Sequence, residues 1–256
     1  MKTYVISDLH SHMNVLKEFL SDIEEDDTVF CLGDTIDKGP DGIEVLNLIR
    51  NDSRFTLLMG NHELMMWEYL TLKKEYESSG KWKLMFSEIK YRLQQKETHW
   101  LKWNFGNATY ADYLKQSRME QEKIYEYLSH LPVLIRTEVN DRTFILVHAS
   151  PYAYHDEDVI YFKDIRNTIE KYVWEWEPYA HVNNAIVITG HRIVPYSFHK
   201  DEVFTDGKWY DIDMGLAANS SYSSLAALCL NDLSVRYYPL KEEDRFHFPE
   251  SGALEE

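Results

Sequence analysis

Through the first sixty residues, short apolar runs alternate with stretches whose apolar residues recur every three or four positions. Residues 3–6, 28–32 and 55–58 are rich in β-branched or large apolar side chains and end at polar or glycine positions, which predicts three strands. Between them Leu16, Phe19, Leu20 and Ile23 fall at helical spacing, as do Ile43, Leu46 and Ile49 after a start signal at Pro40. A β-α-β-α-β series favours a largely parallel sheet with helices packed outside it. From about residue 64 to residue 131 the pattern lengthens into helices. Ile124, Tyr127, Leu128 and Leu131 mark one apolar stripe, and Met85, Ile89 and Leu93 another. Strand-like runs return at 133–135, 143–147, 185–189, 209–212, 225–230 and 235–238. The later ones lack intervening helices, as expected of an antiparallel second sheet. The chain thus reads as one α/β domain over 1–240, with a helical insert at about 64–131 and a charged, weakly apolar tail over 241–256.

Composition narrows the classes of function. Twenty-seven basic residues against 43 acidic ones leave a net charge of −16, which argues against a nucleic-acid partner held through phosphate contacts. Hydrophobic residues at 44% and aromatics at 14% exclude a disordered chain. Cys31 and Cys229 are too few for a disulfide framework and suit a reducing compartment, so a cytoplasmic location is expected. The opening MKTYVISDLH has only four apolar residues before a charge, so it reads as neither signal peptide nor membrane span. Four of the seven tryptophans (Trp67, Trp82, Trp100, Trp103) fall in the insert, which predicts a small core of its own or a substrate-facing wall.

The strand ends carry the chemistry. Asp8 and His10 follow the first strand; Gly33-Asp34-Thr35-Ile36-Asp37-Lys38-Gly39 follows the second; Gly60-Asn61-His62-Glu63 follows the third. Two later strands end in His148 and in Gly190-His191. Such clusters converge at the carboxyl edge of a sheet, where open α/β folds place their sites. Two carboxylates, three imidazoles and one carboxamide, with no thiolate, suit Mn, Fe, Zn or Co. Two metals close together need a bridging ligand, and Asp34, after the central strand of the three, is the natural bridge. Asp8 and His10 would complete one metal, and Asn61, His148 and His191 the other. His62, next to a ligand, is placed to protonate a leaving alkoxide, with Asp37 accepting from its other nitrogen and Lys38 supplying charge to phosphate oxygens.

Each motif alone has a plain structural explanation. Gly33 and Gly39 suit a simple turn, and Asn61 with Glu63 suits a helix N-terminus. In order, at strand ends and with two further histidines, the clusters point to a metal site. His12, His99, His130, His155, His181, His199 and His247 have no such context, and only His12 is placed for contact behind the ligands.

The run DxH…GDxxDxG…GNHE…H…GH resembles the calcineurin-like metallophosphoesterases, in particular the phosphoprotein phosphatase branch with its bacterial and phage members and the related symmetrical diadenosine tetraphosphatases. Trp103-Asn104-Phe105-Gly106 with Ala108, Thr109 and Tyr113 is similar to an insert segment of bacterial members. Leu131-Pro132, LVHAS and IDMG (212–215) also fall where those members have counterparts. The resemblance implies an αββα sandwich of two mixed sheets flanked by helices, and two divalent metal ions, Mn first, with Fe, Zn, Co or Ni as alternatives. It implies metal ligands at Asp8, His10, Asp34, Asn61, His148 and His191, and an acid pair at His62 and Asp37. The expected reaction is hydrolysis of phosphomonoesters by direct attack of metal-bound hydroxide, without a phosphoenzyme. The expected substrate is a serine/threonine phosphoprotein or small phosphoester; the alternatives are a dinucleoside polyphosphate and, third, a scaffold that keeps the fold without catalysis.

The departures are informative too. Ser7 and Ser11 stand where the family has glycines, and His148-Ala149-Ser150 where it has HGG. Lys38 replaces the expected arginine before Gly39, and Lys163 aligns with a second phosphate-gripping arginine, Arg166 being the nearby alternative. Lysine cannot make the bidentate fork that arginine makes with phosphate, so Lys38, Asn61 and Lys163 are expected to give a weaker or differently shaped grip.

Overall fold

The continuous apolar runs exist because both faces of each sheet are covered. A computed structural model describes residues 1–78, 83–152, 158–176 and 182–246, with side chains at 83–87 excepted. Trp82, His155, His181, His247, the Met85 side chain and the expected tail beyond 246 lie outside the described residues.

The first part of the chain runs β1 (Thr3–Ile6), α1 (Met13–Ser21), β2 (Thr28–Cys31), α2 (Gly42–Asn51) and β3 (Phe55–Leu57). Helices follow: α3 (Asn61–Ser78), α4 (Lys83–Glu97), a π-helical turn (Thr98–Trp103), α5 (Asn107–Lys115) and α6 (Arg118–Ser129). Then come β4 (Pro132–Val139), β5 (Arg142–Val147), β6 (Val159–Tyr161), α7 (Glu170–Val173), β7 (Ile186–Thr189) and α8 (Val194–Ser197). The last strands are β8 (Phe204–Thr205), β9 (Trp209–Asp211), β10 (Ser224–Cys229) and β11 (Val235–Pro239).

The strands form a five-stranded sheet, β11-β10-β1-β2-β3, and a six-stranded one, β6-β4-β5-β7-β9-β8. Alternation along each strand sorts side chains between two layers. Val5 joins Leu32, Leu58, Phe144, Leu146, Ile188 and Leu228 in the core between the sheets. Tyr4 and Ile6, one residue either side, instead pack with Leu16, Phe19, Ile43 and Leu46 of α1 and α2. The arrangement is the αββα sandwich expected.

Two features differ from the sequence reading. The second sheet is mixed, not antiparallel: β5 pairs with β7, and β7 with β9, in parallel. The long stretch between β5 and β7 gives the chain room to cross over and re-enter in the same direction. The runs at 225–230 and 235–238 join the first sheet, where β10 pairs antiparallel with β1. The short strands β6 and β8 gave no periodic signal.

Candidate metal centre

Three of the loops that carry candidate ligands, after β1, β2 and β7, leave their strands by a sharp reversal. Asp8 (φ 54°), His10 (41°), Asp34 (54°), Asp37 (69°), Lys38 (65°) and His191 (71°) all occupy the left-handed region, and none is glycine. Aspartate and histidine tolerate that region better than most residues, but each instance still costs about 1–3 kcal/mol and is held by its surroundings. Backbone bonds supply that hold: Asp8 N–H donates to Gly33 (3.1 Å), His10 N–H to Asp34 (3.0 Å), and Gly190 N–H to the His148 carbonyl (2.8 Å). Gly33 and Gly60 cross at close range, since a β-carbon on Gly33 would lie 2.5 Å from the Gly60 Cα.

The six expected ligands come together. His10 Nε2 lies 3.9 Å from Asp8 Oδ1 and 3.7 Å from Asp34 Oδ2. His148 Nε2 is 3.5 Å from the same Asp34 oxygen and 2.9 Å from Asn61 Oδ1. His191 N–H donates to Asp8 Oδ2 at 3.0 Å, and its ring centroid is 5.0 Å from that of His148. Donor atoms of His10, Asp34 and His62 fall within 4.8 Å of one another, as do those of Asp34, His148 and His191, so Asp34 is common to both groups.

The donor chemistry fits cations. His10 Nδ1 meets the Ile36 carbonyl (3.2 Å) and His148 Nδ1 the Leu32 carbonyl (3.0 Å), which puts the proton on Nδ1 and the Nε2 lone pair into the cluster. That outer partner is the usual device for orienting a metal-binding imidazole. His191 Nε2 is buried with no hydrogen-bond partner. Burial, then the Glu63 charge, pushes the Asp34 carboxyl well above the usual range; burial, then Asp213, does the same to Asp8. Burial drives His10, His62 and His191 well below theirs. Carboxylates and imidazoles pressed towards neutrality from opposite sides are what a cation reverses, because it favours deprotonated ligands of both kinds.

Beside this cluster His62 Nδ1 meets Asp37 Oδ2 at 2.7 Å, while His62 Nε2 faces Asp34 Oδ2 at 3.9 Å. Burial pushes Asp37 up to about 7. Lys38, Asn61, His62 and most of the ligands line a cavity of about 230 Å³, together with Asn104, Trp174, Trp176, Tyr196 and Asp213. Burial lowers the Lys38 ammonium, which sits 5.1 Å over the Phe105 ring.

Lys163 departs from expectation. It is exposed, with its ammonium 5.5 Å over the Tyr161 ring, and is not among the described residues lining the cavity. The tight turn Phe162–Asp164 buries Phe162 and turns Lys163 outward. Arg166, the alternative, is also exposed and lies over Trp67 and Phe162.

Three residues to which the sequence assigned no role at the site do much of the holding. The fully buried Glu63 accepts from Asp34 N–H (2.8 Å), Thr35 N–H (2.8 Å), Thr35 Oγ1 (2.7 Å) and Gly60 N–H (3.2 Å), so one carboxylate ties two ligand loops together. Trp100 Nε1 donates to Asp37 Oδ2 at 2.7 Å, and Thr109 Oγ1 accepts from Asp37 N–H at 3.0 Å. The insert therefore packs against the fold and holds Asp37 at once. The sequence signal for Glu63 was its place in GNHE, read there as suiting a helix N-terminus; Trp100 gave none beyond its place in a tryptophan-rich insert.

Comparison with known proteins agrees with this centre. A family model described as calcineurin-like phosphoesterase matches residues 1–195. Over 68 residues the chain is 37% identical to the symmetrical bis(5'-nucleosyl)-tetraphosphatase of Proteus mirabilis, covering 25% of each chain. Over 68 residues it is 35% identical to serine/threonine-protein phosphatase 2 of Escherichia coli, covering 25% of this chain and 31% of that one. The matched stretch thus spans about a quarter to a third of these relatives' length. In structure the chain resembles a protein serine/threonine phosphatase from Saccharomyces cerevisiae, with a TM-score of 0.54 and 12% identity over 94% of this chain and 81% of that one.

Proposed function

The chain belongs to the calcineurin-like phosphoesterase family, and from that premise we propose that it is a two-metal phosphomonoesterase acting on phosphoserine or phosphothreonine in proteins, within the reducing interior of the cell. One observation carries the reading: two donor groups sharing Asp34 sit beside a buried His62–Asp37 pair in a single cavity. Asp8, His10 and Asp34 would hold one ion, and Asp34, Asn61, His148 and His191 the other. Manganese is the expected ion, since oxygen and nitrogen donors without thiolate suit it. Bound there, such ions lower the pKa of a coordinated water and offset charge on phosphate oxygens.

The chain's own residues supply the rest. Lys38 and Asn61 face the phosphate from the cavity wall and orient it. Asp37 accepts from His62 Nδ1–H, so the proton passed to the departing oxygen is a second one, carried on Nε2 of the imidazolium that the Asp37 carboxylate stabilises, and the ring is left neutral with its proton on Nδ1. Trp100 and Thr109 keep Asp37 from turning away. A cavity of about 230 Å³ is small beside typical ligand sites of roughly 300–1,000 Å³, so it takes the phosphate and leaves the remainder of the substrate at the mouth. That suits a phosphate presented on a protein surface, and Cys31 and Cys229, both buried free thiols, suit the reducing location.

A second reading is a dinucleoside polyphosphate hydrolase, because the Proteus mirabilis tetraphosphatase matches over a stretch of the same length as the Escherichia coli phosphatase. A substrate panel on Mn²⁺-loaded protein decides. Phosphopeptides turned over faster than dinucleoside polyphosphates support the proposal; the reverse order supports the second reading. Absence of turnover on either, and on para-nitrophenyl phosphate, leaves the non-catalytic scaffold.

A further inference from the structure

Beyond β11 the chain does not leave the fold but turns back across the ligand-bearing loops. Leu240 N–H donates to the Ser223 carbonyl at 2.8 Å, Lys241 Nζ reaches Glu18 at 2.8 Å, and Asn14 Nδ2 donates to Asp244 at 2.6 Å. At Phe246 the backbone is gripped from both sides by one amide: Asn219 Nδ2 donates to its carbonyl (2.7 Å) and its N–H donates to Asn219 Oδ1 (3.0 Å). The Phe246 ring lies 4.3 Å from that of His12, tilted by 31°. It also fills the space over Gly39, where any β-carbon would stand inside the ring. His12 lies just past His10, Gly39 follows Lys38, and Asn219 lies past Asp213, so the Phe246 ring bears on two of the loops and its backbone on a third.

We propose that Phe246 is a positioning residue, a wedge that holds the Asp37–Lys38–Gly39 turn so that Lys38 points into the cavity. The inference rests on reading that cavity as a phosphoester site. Lys38 is in the left-handed region (φ 65°), where a lysine has no side-chain group to relieve the strain, and Gly39 beside it has no side chain of its own to fill space. Remove the ring and the close-packed support on that side is gone. Asp37 is held independently by His62, Trp100 and Thr109. The wedge therefore governs the phosphate grip and not proton transfer.

The test combines F246A, F246L, K38A and the F246A/K38A double variant in the full chain. Two readouts are used: kinetics with para-nitrophenyl phosphate and Mn²⁺, and amide hydrogen exchange of the peptide spanning 36–39. F246A is expected to raise KM about tenfold with kcat within about twofold, and to speed exchange at 36–39; F246L restores most of both. Because both changes act through one ammonium, the double variant should be no weaker than K38A alone. Unchanged exchange at 36–39, an unchanged KM, or additive effects in the double variant overturn the wedge. If the unaltered protein hydrolyses no phosphoester, the proposed function falls while the exchange comparison still decides the role of Phe246.

Discussion

Asp211 and Asp34 are both buried carboxylates at the ends of strands, and they meet burial in opposite ways. Asp211 has its counter-charge built in. Arg192 Nη2 donates to it at 3.1 Å, and the guanidinium is itself fixed by the Trp176 carbonyl (2.8 Å) and the rings of Phe198 and Trp209. Asp34 has three imidazoles within 3.5–3.9 Å, and burial drives each of them towards its neutral form. The first acid is closed and structural. The second has only the His62 N–H (3.0 Å) and the Lys38 charge to favour its ionised form, and no guanidinium paired with it, which leaves its charge open to a partner from outside.

The comparison can be broken in graded steps. Asp34→Asn should abolish metal-dependent hydrolysis and weaken metal binding by more than the ~10–100-fold that loss of an outer partner costs, read by metal analysis after dialysis. Wild-type metal content in that variant would end the assignment. His62→Asn keeps every carboxylate, so metal should stay bound while esters with poor leaving groups slow by about 10²–10⁴-fold and good ones far less; equal slowing of both would remove the acid role. Arg192→Met should cost about 3–5 kcal/mol in urea unfolding by stranding Asp211, with metal content unchanged in the folded protein.

The smallest effect is a pH dependence. In metal-free protein Asp37 is pushed up to about 7 and Asp213 up to about 8, whereas the unfolded chain releases those protons near 3.8. Their contribution to stability is therefore greatest at low pH and is lost as pH rises through those values. The buried histidines act with the opposite sign, and their change ends about one unit above their ordinary 6.5, once the unfolded imidazoles have lost their protons. Between about pH 7.5 and 8.5 the Tm of metal-free protein should fall. Metal at a fixed concentration, about 100 times its Kd at the lower pH, should restore roughly 2.7 kcal/mol there and more at the higher pH, where Kd is smaller because the ligands bind without releasing protons. A flat Tm across that range, or equal restoration at both ends, would contradict the linkage.

What the sequence alone disclosed follows the reach of each interaction. Strands β1, β2 and β5 were legible because two-sided burial makes a run apolar throughout. β6 and β8, of three and two residues, are too short to carry a period. The mixed pairing of β5, β7 and β9 was hidden because direction depends on the crossovers and not on the strands. Asp8, His10, Asp34, Asn61, His148 and His191 stood out because polar residues just past apolar runs are local signals. The support of Asp37 was not local: Trp100 and Thr109 are 63 and 72 residues away. Lys163 misled because alignment by spacing ignores which side of a turn is buried.

The bond from His191 to Asp8 joins residues 183 apart, with the other donors strung between them. A nascent chain on the ribosome can therefore bring His10, Asp34 and His62 together early, whereas the group of Asp34, His148 and His191 closes only after His191 has emerged. A product truncated before that point would keep the first group and lack the second.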